Sequence, residues 1–326
     1  MRAFVPFFKN PHLGTIAANY WPRPMDTQRF PLEVKLYDTE PGVRVLVHSQ
    51  RPSSAPVAEV IVVHGLEGSS QSGYARSLAH ELLQAGWAAH RFNMRSCGGT
   101  EHLSGRGLYH SGQTSDLLAV VRQIKAEAPI FLAGFSLGGN VVLKLAGELG
   151  ERAPELIAGV IAVSTPIDLA ACARRLAAPS NFMYSRRFLG RLKQRIRIKA
   201  QSAPGLFALE RLDDVKSVYE FDDKITAPAF GFGDADNYYA TQSSNQFLDR
   251  IRVPALLIHA KDDPLVPFEV YKHPALAQNP NLQLLAPEHG GHVGFISKTP
   301  PRFWLDRVLL DWMSKVRNKA TANFVS

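Results

Sequence analysis

The chain has 326 residues, 45% of them hydrophobic and 10% aromatic, enough to bury a large core in one or two domains. No stretch approaches the length of about 18 apolar residues that a membrane span needs, and Pro6, Lys9 and Pro11 interrupt the N-terminal MRAFVPFFKNPHLGT, which speaks against a span or a secretory signal there. The net charge of +8 is local: Arg186, Arg187, Arg191, Lys193, Arg195, Arg197 and Lys199 form a run without an acid, the rest of the chain is +1, and no nucleic-acid-binding motif accompanies the run.

In chain order, LEVKLY (32–37) and VRVLVHS (43–49) alternate and predict an antiparallel edge pair. EVIVVHG (59–65), WAAHRFN (87–93), PIFLAGFS (129–136), AGVIAVST (158–165), PALLIHA (254–260) and LQLLAP (282–287) read as buried strands. Helices are expected over about 74–85, 114–127, 137–149 and 302–317. Strands alternating with helices imply a mostly parallel sheet of about eight strands with right-handed crossovers. Between Thr165 and Ile251 there is no clear strand, but there are helical stretches, the basic run and many aromatics. A piece of that size is too long for a loop. It predicts a helical cap (166–250) inserted into a core made of 1–165 and 251–326, over the strand ends where open α/β sheets bind ligands.

The segment GFSLGGN (134–140) follows a strand and opens a helix. Gly134, Ser136 and Gly138 make G-x-S-x-G, a turn that lifts a serine hydroxyl above the sheet at a helix N-terminus. An unassisted serine is a weak nucleophile and needs a base, which in turn needs an orienting acid. KDDPLVP follows the strand PALLIHA, so Asp263 is the expected acid, with Asp262 as the alternative. LQLLAPEHGGHVGF supplies the base, His292 for preference between its glycine and apolar neighbours, or else His289. The oxyanion of a tetrahedral intermediate would be bound by the backbone N–H of Leu137 and by one from VVHGLEGSS (62–70), with Leu66 as the expected donor.

With Ser136, Asp263, His292 and HGLEG in place, the chain resembles the α/β-hydrolase superfamily and, within it, the YheT-type hydrolases of bacteria. NPHLGTIAANYWPR (10–23), HGLEGSSQSGYARSLA (64–79), FNMRSCGG (92–99), YHSGQTSDL (109–117) and FDDKITAPAFGFGDADNYY (221–239) occur in that family's order, with Gly14 where glutamine is commoner. The resemblance implies the same three catalytic residues. It also marks Asn93, Arg95 and Cys97 as a loop that shapes the site entrance, Arg95 as a structural pin and Cys97 not as a nucleophile. Eukaryotic relatives are membrane-anchored, and some act on medium-chain phospholipids. No counterpart of their N-terminal anchor precedes NPHLGT, which weakens the expectation that the chain acts on bilayer lipid.

The expected activity is therefore hydrolysis of short- to medium-chain carboxylic esters through an acyl-enzyme. Acyl transfer, thioester cleavage or a non-catalytic binding role are the alternatives. A serine in the elbow, where dehalogenases and epoxide-opening enzymes commonly carry aspartate, favours acyl chemistry. No metal or cofactor is expected, since no histidine lies in a metal-binding spacing and the glycine-rich turns lack Walker and dinucleotide patterns. The two cysteines, Cys97 and Cys172, form no disulfide framework, so a cytoplasmic monomer acting on a small acyl ester or lipid is expected. The run 186–199 is expected to be a solvated face, with weak contact to anionic membranes as the alternative.

Overall fold

The structure, a computed structural model, describes residues 3–323 except 106, 125, 203, 206 and 208. Eight strands form one sheet in the order β1-β2-β4-β3-β5-β6-β7-β8. β1 (Glu33–Glu40) and β2 (Val43–Gln50) make the expected antiparallel pair, joined by a turn in which Gly42 has φ +76°. β2 pairs antiparallel with β4 (Ala88–Phe92); β4 and the remaining strands, β3 (Glu59–Val63), β5 (Ile130–Phe135), β6 (Gly159–Val163), β7 (Ala255–Ile258) and β8 (Leu282–Leu285), run parallel.

The parallel strands are mostly apolar because both faces are covered, with Glu59, His90 and Arg91 as buried charged or polar exceptions on β3 and β4. On β3, Ile61 and Val63 enter one core cluster, and Val60 and Val62 the opposite one. β5 divides likewise: Ile130 and Leu132 face one side, Phe131, Ala133 and Phe135 the other. One cluster is closed by α3 (Ser115–Gln123) and α4 (Leu137–Leu149), through Leu117, Val120, Val141 and Leu145. The other is closed by α2 (Gly73–Gln84) and the C-terminal helix, through Leu78, Leu82, Leu309 and Met313.

Boundaries moved by a few residues: α3 stops at Gln123 rather than 127, and the C-terminal helix, α12 (Trp304–Asn323), starts two residues later than 302 and runs past 317. One helix was not expected. α1 (Pro11–Tyr20) starts at Asn10, whose side chain accepts from the His12 and Leu13 N–H groups, with Pro11 in the first turn. Asn-Pro at that point is an N-terminal signal in its own right.

The short α5 (Ala153–Leu156) precedes β6. Between β6 and β7 the chain is helical: α6 (Leu169–Leu176), α7 (Phe182–Ser202), the one-turn α8 (Val218–Phe221), a π-helical turn at Asp222–Thr226, α9 (Ala227–Ala229) and α10 (Ala235–Gln242). Small apolar clusters of their own hold these helices, one around Leu192, Ile196, Leu212 and Phe221 and one around Leu169, Ala227, Tyr238 and Tyr239. α11 (Ala275–Gln278) links β7 to β8. Among the described residues no helix is long and apolar enough to cross a membrane.

Candidate active site

Ser136 sits between β5 and α4 with φ +51° and ψ −122°, a conformation an L-residue holds only at a cost of about 1–3 kcal/mol. The surrounding glycines permit it by close approach. A Cβ on Gly134 would lie 2.2 Å from the Gly138 carbonyl oxygen, and one on Gly138 would lie 2.3 Å from that of Val63. The Ser136 N–H donates to the Val163 carbonyl at 2.8 Å, which pins the turn to the neighbouring strand.

His292 reaches this serine from the loop after β8. Its Nε2 is 2.9 Å from Ser136 Oγ, and its Nδ1 is 2.9 Å from Asp263 Oδ2. Asp263 lies just beyond β7 with its side chain fully buried, and its Oδ1 accepts the Leu265 and Val266 N–H groups at 2.8 and 3.0 Å. Burial opposes its charge, but His292 and these hydrogen bonds outweigh burial and hold the carboxyl below its usual range. An acceptor at Nδ1 keeps the proton there and leaves Nε2 free to accept from the serine hydroxyl.

Asp262 and His289, the alternatives in the sequence, lie together instead. His289 Nδ1 is 3.0 Å from Asp262 Oδ2, and Asp262 Oδ1 accepts the Gly291 N–H at 2.9 Å. They form a second, more exposed Asp–His pair that braces the loop carrying His292.

The turn after β3 lies against the serine: a Cβ on Gly65 would be 3.0 Å from Ser136 Cβ. His64 is fully buried and fixes the turn. Its Nδ1–H donates to Gly65 O at 2.8 Å and its Nε2 accepts from the Met94 N–H at 3.1 Å, and burial pushes its pKa down to about 4. The Gly65 N–H donates to Tyr74 Oη and the Glu67 N–H to Tyr109 Oη. The intervening Leu66 N–H has no hydrogen-bond partner among the described residues, and neither has that of Leu137 at the start of α4.

Arg95 forks onto Asp116, with Nε and Nη2 each 2.6 Å from a carboxylate oxygen, and also pairs with Glu40; it lines no part of the site. Asn93 ties the same loop down by accepting from the Ser70 N–H and donating to Leu46 O. The Cys97 thiol is buried, and burial pushes its pKa up to about 12, which leaves it a poor nucleophile.

Ser136 stands where two cavities meet, with Leu66, Phe188, Leu265 and His292 lining both. The first, about 1030 Å³ including its mouth, runs beneath the helices between β6 and β7 and is walled mainly by apolar side chains such as Leu169, Leu192, Phe221 and Phe230. Tyr238, Tyr239 and Asp222 also reach it. Some aromatics between β6 and β7 line the cavity, such as Phe188, Phe221 and Phe230, while others, such as Phe182, are exposed.

The basic run is only in part the expected solvated face, since Arg186, Arg187, Arg191 and Arg197 are exposed and Arg195 and Lys199 are not. It lies in one continuous helix, α7, and part of it turns inward. Arg195, with its side chain 11% exposed, donates from Nε to Glu67 Oε1 at 2.7 Å; buried Lys199 donates to Glu101 O and Ser104 Oγ. Arg186 and Arg197 do face solvent. Charge runs give no hint of which members a partner loop will cover. Thr15 was also missed: its Oγ1 accepts the His292 N–H at 2.8 Å from α1, across 277 residues of sequence.

The family described as alpha/beta hydrolase fold matches residues 59–299. "Putative esterase YheT" of Escherichia coli (strain K12) is 34% identical over 95% of this chain and 93% of its own length. "Phospholipase ABHD3" of Mus musculus is 30% identical over 76% of this chain and 61% of its own length. Among solved structures, the Pyrococcus furiosus esterase Pf2001 superposes with a TM-score of 0.56 at 20% identity, covering 88% of this chain and 96% of that one. An eight-stranded sheet with its serine turn after β5, and matches that run almost end to end, make the chain a member of the α/β-hydrolase fold family.

Proposed function

We propose that the protein is a serine hydrolase of carboxylic esters, with Ser136 as nucleophile, His292 as general base and acid, and Asp263 as the orienting acid. The observation that supports this reading is the unbroken hydrogen-bond chain from Ser136 Oγ through His292 to a buried, ionised Asp263. Relatives named as an esterase and a phospholipase agree with it.

In this reading His292 Nε2 takes the Ser136 proton as Oγ attacks the acyl carbon. The charge that develops on the carbonyl oxygen is met by the unpaired N–H groups of Leu66 and Leu137, each such donor contributing about 2.7–4 kcal/mol to the transition state. His292 then gives its proton to the departing alcohol. Water, activated by the same imidazole, frees the acid and restores Ser136. The segment 166–250 acts as a cap over the core, and the apolar cavity beneath it takes a short- to medium-chain acyl group.

The test is hydrolysis of p-nitrophenyl esters of graded acyl length by the wild type and by Ser136→Ala. The variant should fall to background, a loss of up to about 10⁶ in kcat. Equal activity in both proteins removes Ser136 from the chemistry.

A further inference from the structure

The second cavity that opens at Ser136 differs in kind from the first. It lies between α1, the start of α2 and α7, encloses about 970 Å³ including its mouth, and carries Arg23, Arg187 and Arg191 on its walls. Its one acid, Glu67, is already matched, because its carboxylate accepts from Arg195 Nε and from Tyr109 Oη. None of the three arginines has a carboxylate within ion-pair distance among the described residues, although Asp306 acts on Arg23 from farther away.

Each guanidinium is nonetheless held at the wall. Arg187 Nη1 donates to Tyr20 Oη at 3.1 Å, Arg191 Nη1 to Glu67 O at 3.4 Å, and Arg23 lies over the Phe303 ring with its buried Nε unpartnered. The N-terminus of α2 opens on the same cavity at Ser72 and Gly73, and its N-cap side chain makes no capping bond. α7 therefore has two edges along the site: Phe188, Leu192 and Ile196 toward the apolar cavity, and Arg187 and Arg191, four residues apart, toward this one.

We propose that this cavity is a subsite for a phosphate group carried on the alcohol part of the ester. The inference rests on the ester-hydrolase reading: with the acyl chain in the apolar cavity and its carbonyl at Ser136, the alcohol emerges on the arginine side. Planar guanidinium donors and an uncapped helix N-terminus are suited to the three oxygens and the double charge of a phosphate monoester.

The experiment compares two octanoyl esters of glycerol, one free and one phosphorylated at the far hydroxyl, by kcat/KM with the full chain at neutral pH and low salt. The wild type should prefer the phosphorylated ester, and the preference should shrink as salt rises. Arg187→Gln combined with Arg191→Gln should lower the phosphorylated-to-free ratio by about tenfold or more, the loss of one or two charge-assisted hydrogen bonds. These two residues lie on the exposed side of α7, and Arg23→Gln serves as an independent variant from another element.

A wild type that cleaves both esters without preference, or a preference that survives in both variants, overturns this inference alone. A wild type inactive on both overturns the ester-hydrolase reading and this inference with it. Inorganic phosphate that alters the rate on the free ester, where no substrate preference exists, assigns the groove to a free anion and overturns the substrate assignment.

Discussion

Two Asp–His pairs stand side by side near the strand ends, and their chemistry differs because their surroundings do. Asp263 is buried, accepts two backbone N–H groups and shares a hydrogen bond with His292, so its charge is held in a place where it can orient an imidazole. Asp262 and His289 are more exposed and spend themselves on the loop, Asp262 through the Gly291 N–H. Asp263→Asn should therefore lower kcat by about 10⁴, by letting the wrong imidazole tautomer form. His292→Ala should abolish turnover, whereas His289→Ala should leave it within a few-fold of wild type. Initial rates on one p-nitrophenyl ester decide the matter; a larger loss at His289 than at His292 would exchange their roles. Adjacent acids and near-adjacent histidines look alike in sequence, and only the glycine and apolar neighbours of His292 set one histidine apart from the other. The burial that separates the pairs arises only when β7, β8 and the serine turn come together.

At the scale of elements, the π-helical turn Asp222–Thr226 brings a carboxyl into the wall of the apolar cavity. Asp222 is partly buried with no cation paired to it among the described residues, and although Tyr239 Oη and Thr226 Oγ1 donate to it, desolvation pushes its pKa from 3.8 up to about 6. A carboxyl whose pKa is raised by folding binds its proton more tightly in the native state. Its cost is absent below about pH 4, grows as pH rises through about 6, and then stays, reaching about 3 kcal/mol at most. Asp222→Asn has no such dependence. The stability of wild type minus that of the variant should thus fall between about pH 4 and about pH 6, read from urea unfolding at several pH values; a difference constant with pH contradicts it. The alternation of α7 between apolar and arginine edges belongs to the same scale. Its spacing was visible in the sequence, but the cavities that give each edge a meaning are not local.

The whole molecule is closed by contacts between its ends. α1 lies against the loop that carries His292: Thr15 Oγ1 accepts the His292 N–H, the Phe7 N–H donates to Ile296 O and the Lys298 N–H to Val5 O. Thr15→Val leaves that N–H without an acceptor, and we expect kcat to fall about tenfold with KM held, since the base is displaced while the cavities are not. Steady-state kinetics separate the two constants; a change confined to KM would place Thr15 in substrate binding instead.

The sequence by itself determined the sheet, its strand count and the serine turn, because a doubly covered strand is mostly apolar and a nucleophile elbow needs glycines where backbones nearly touch. These are local demands, and local residues record them. It also carried the helix at Pro11–Tyr20 in its Asn-Pro start, although no strand-helix alternation pointed there. Only the tertiary structure decided which members of the basic run face the site, which Asp–His pair reaches Ser136 and that Thr15 supports it, because each depends on a partner far along the chain. An arginine in a helix reads the same in sequence whether water, Glu67 or an open groove lies opposite, and only packing places one of these before it.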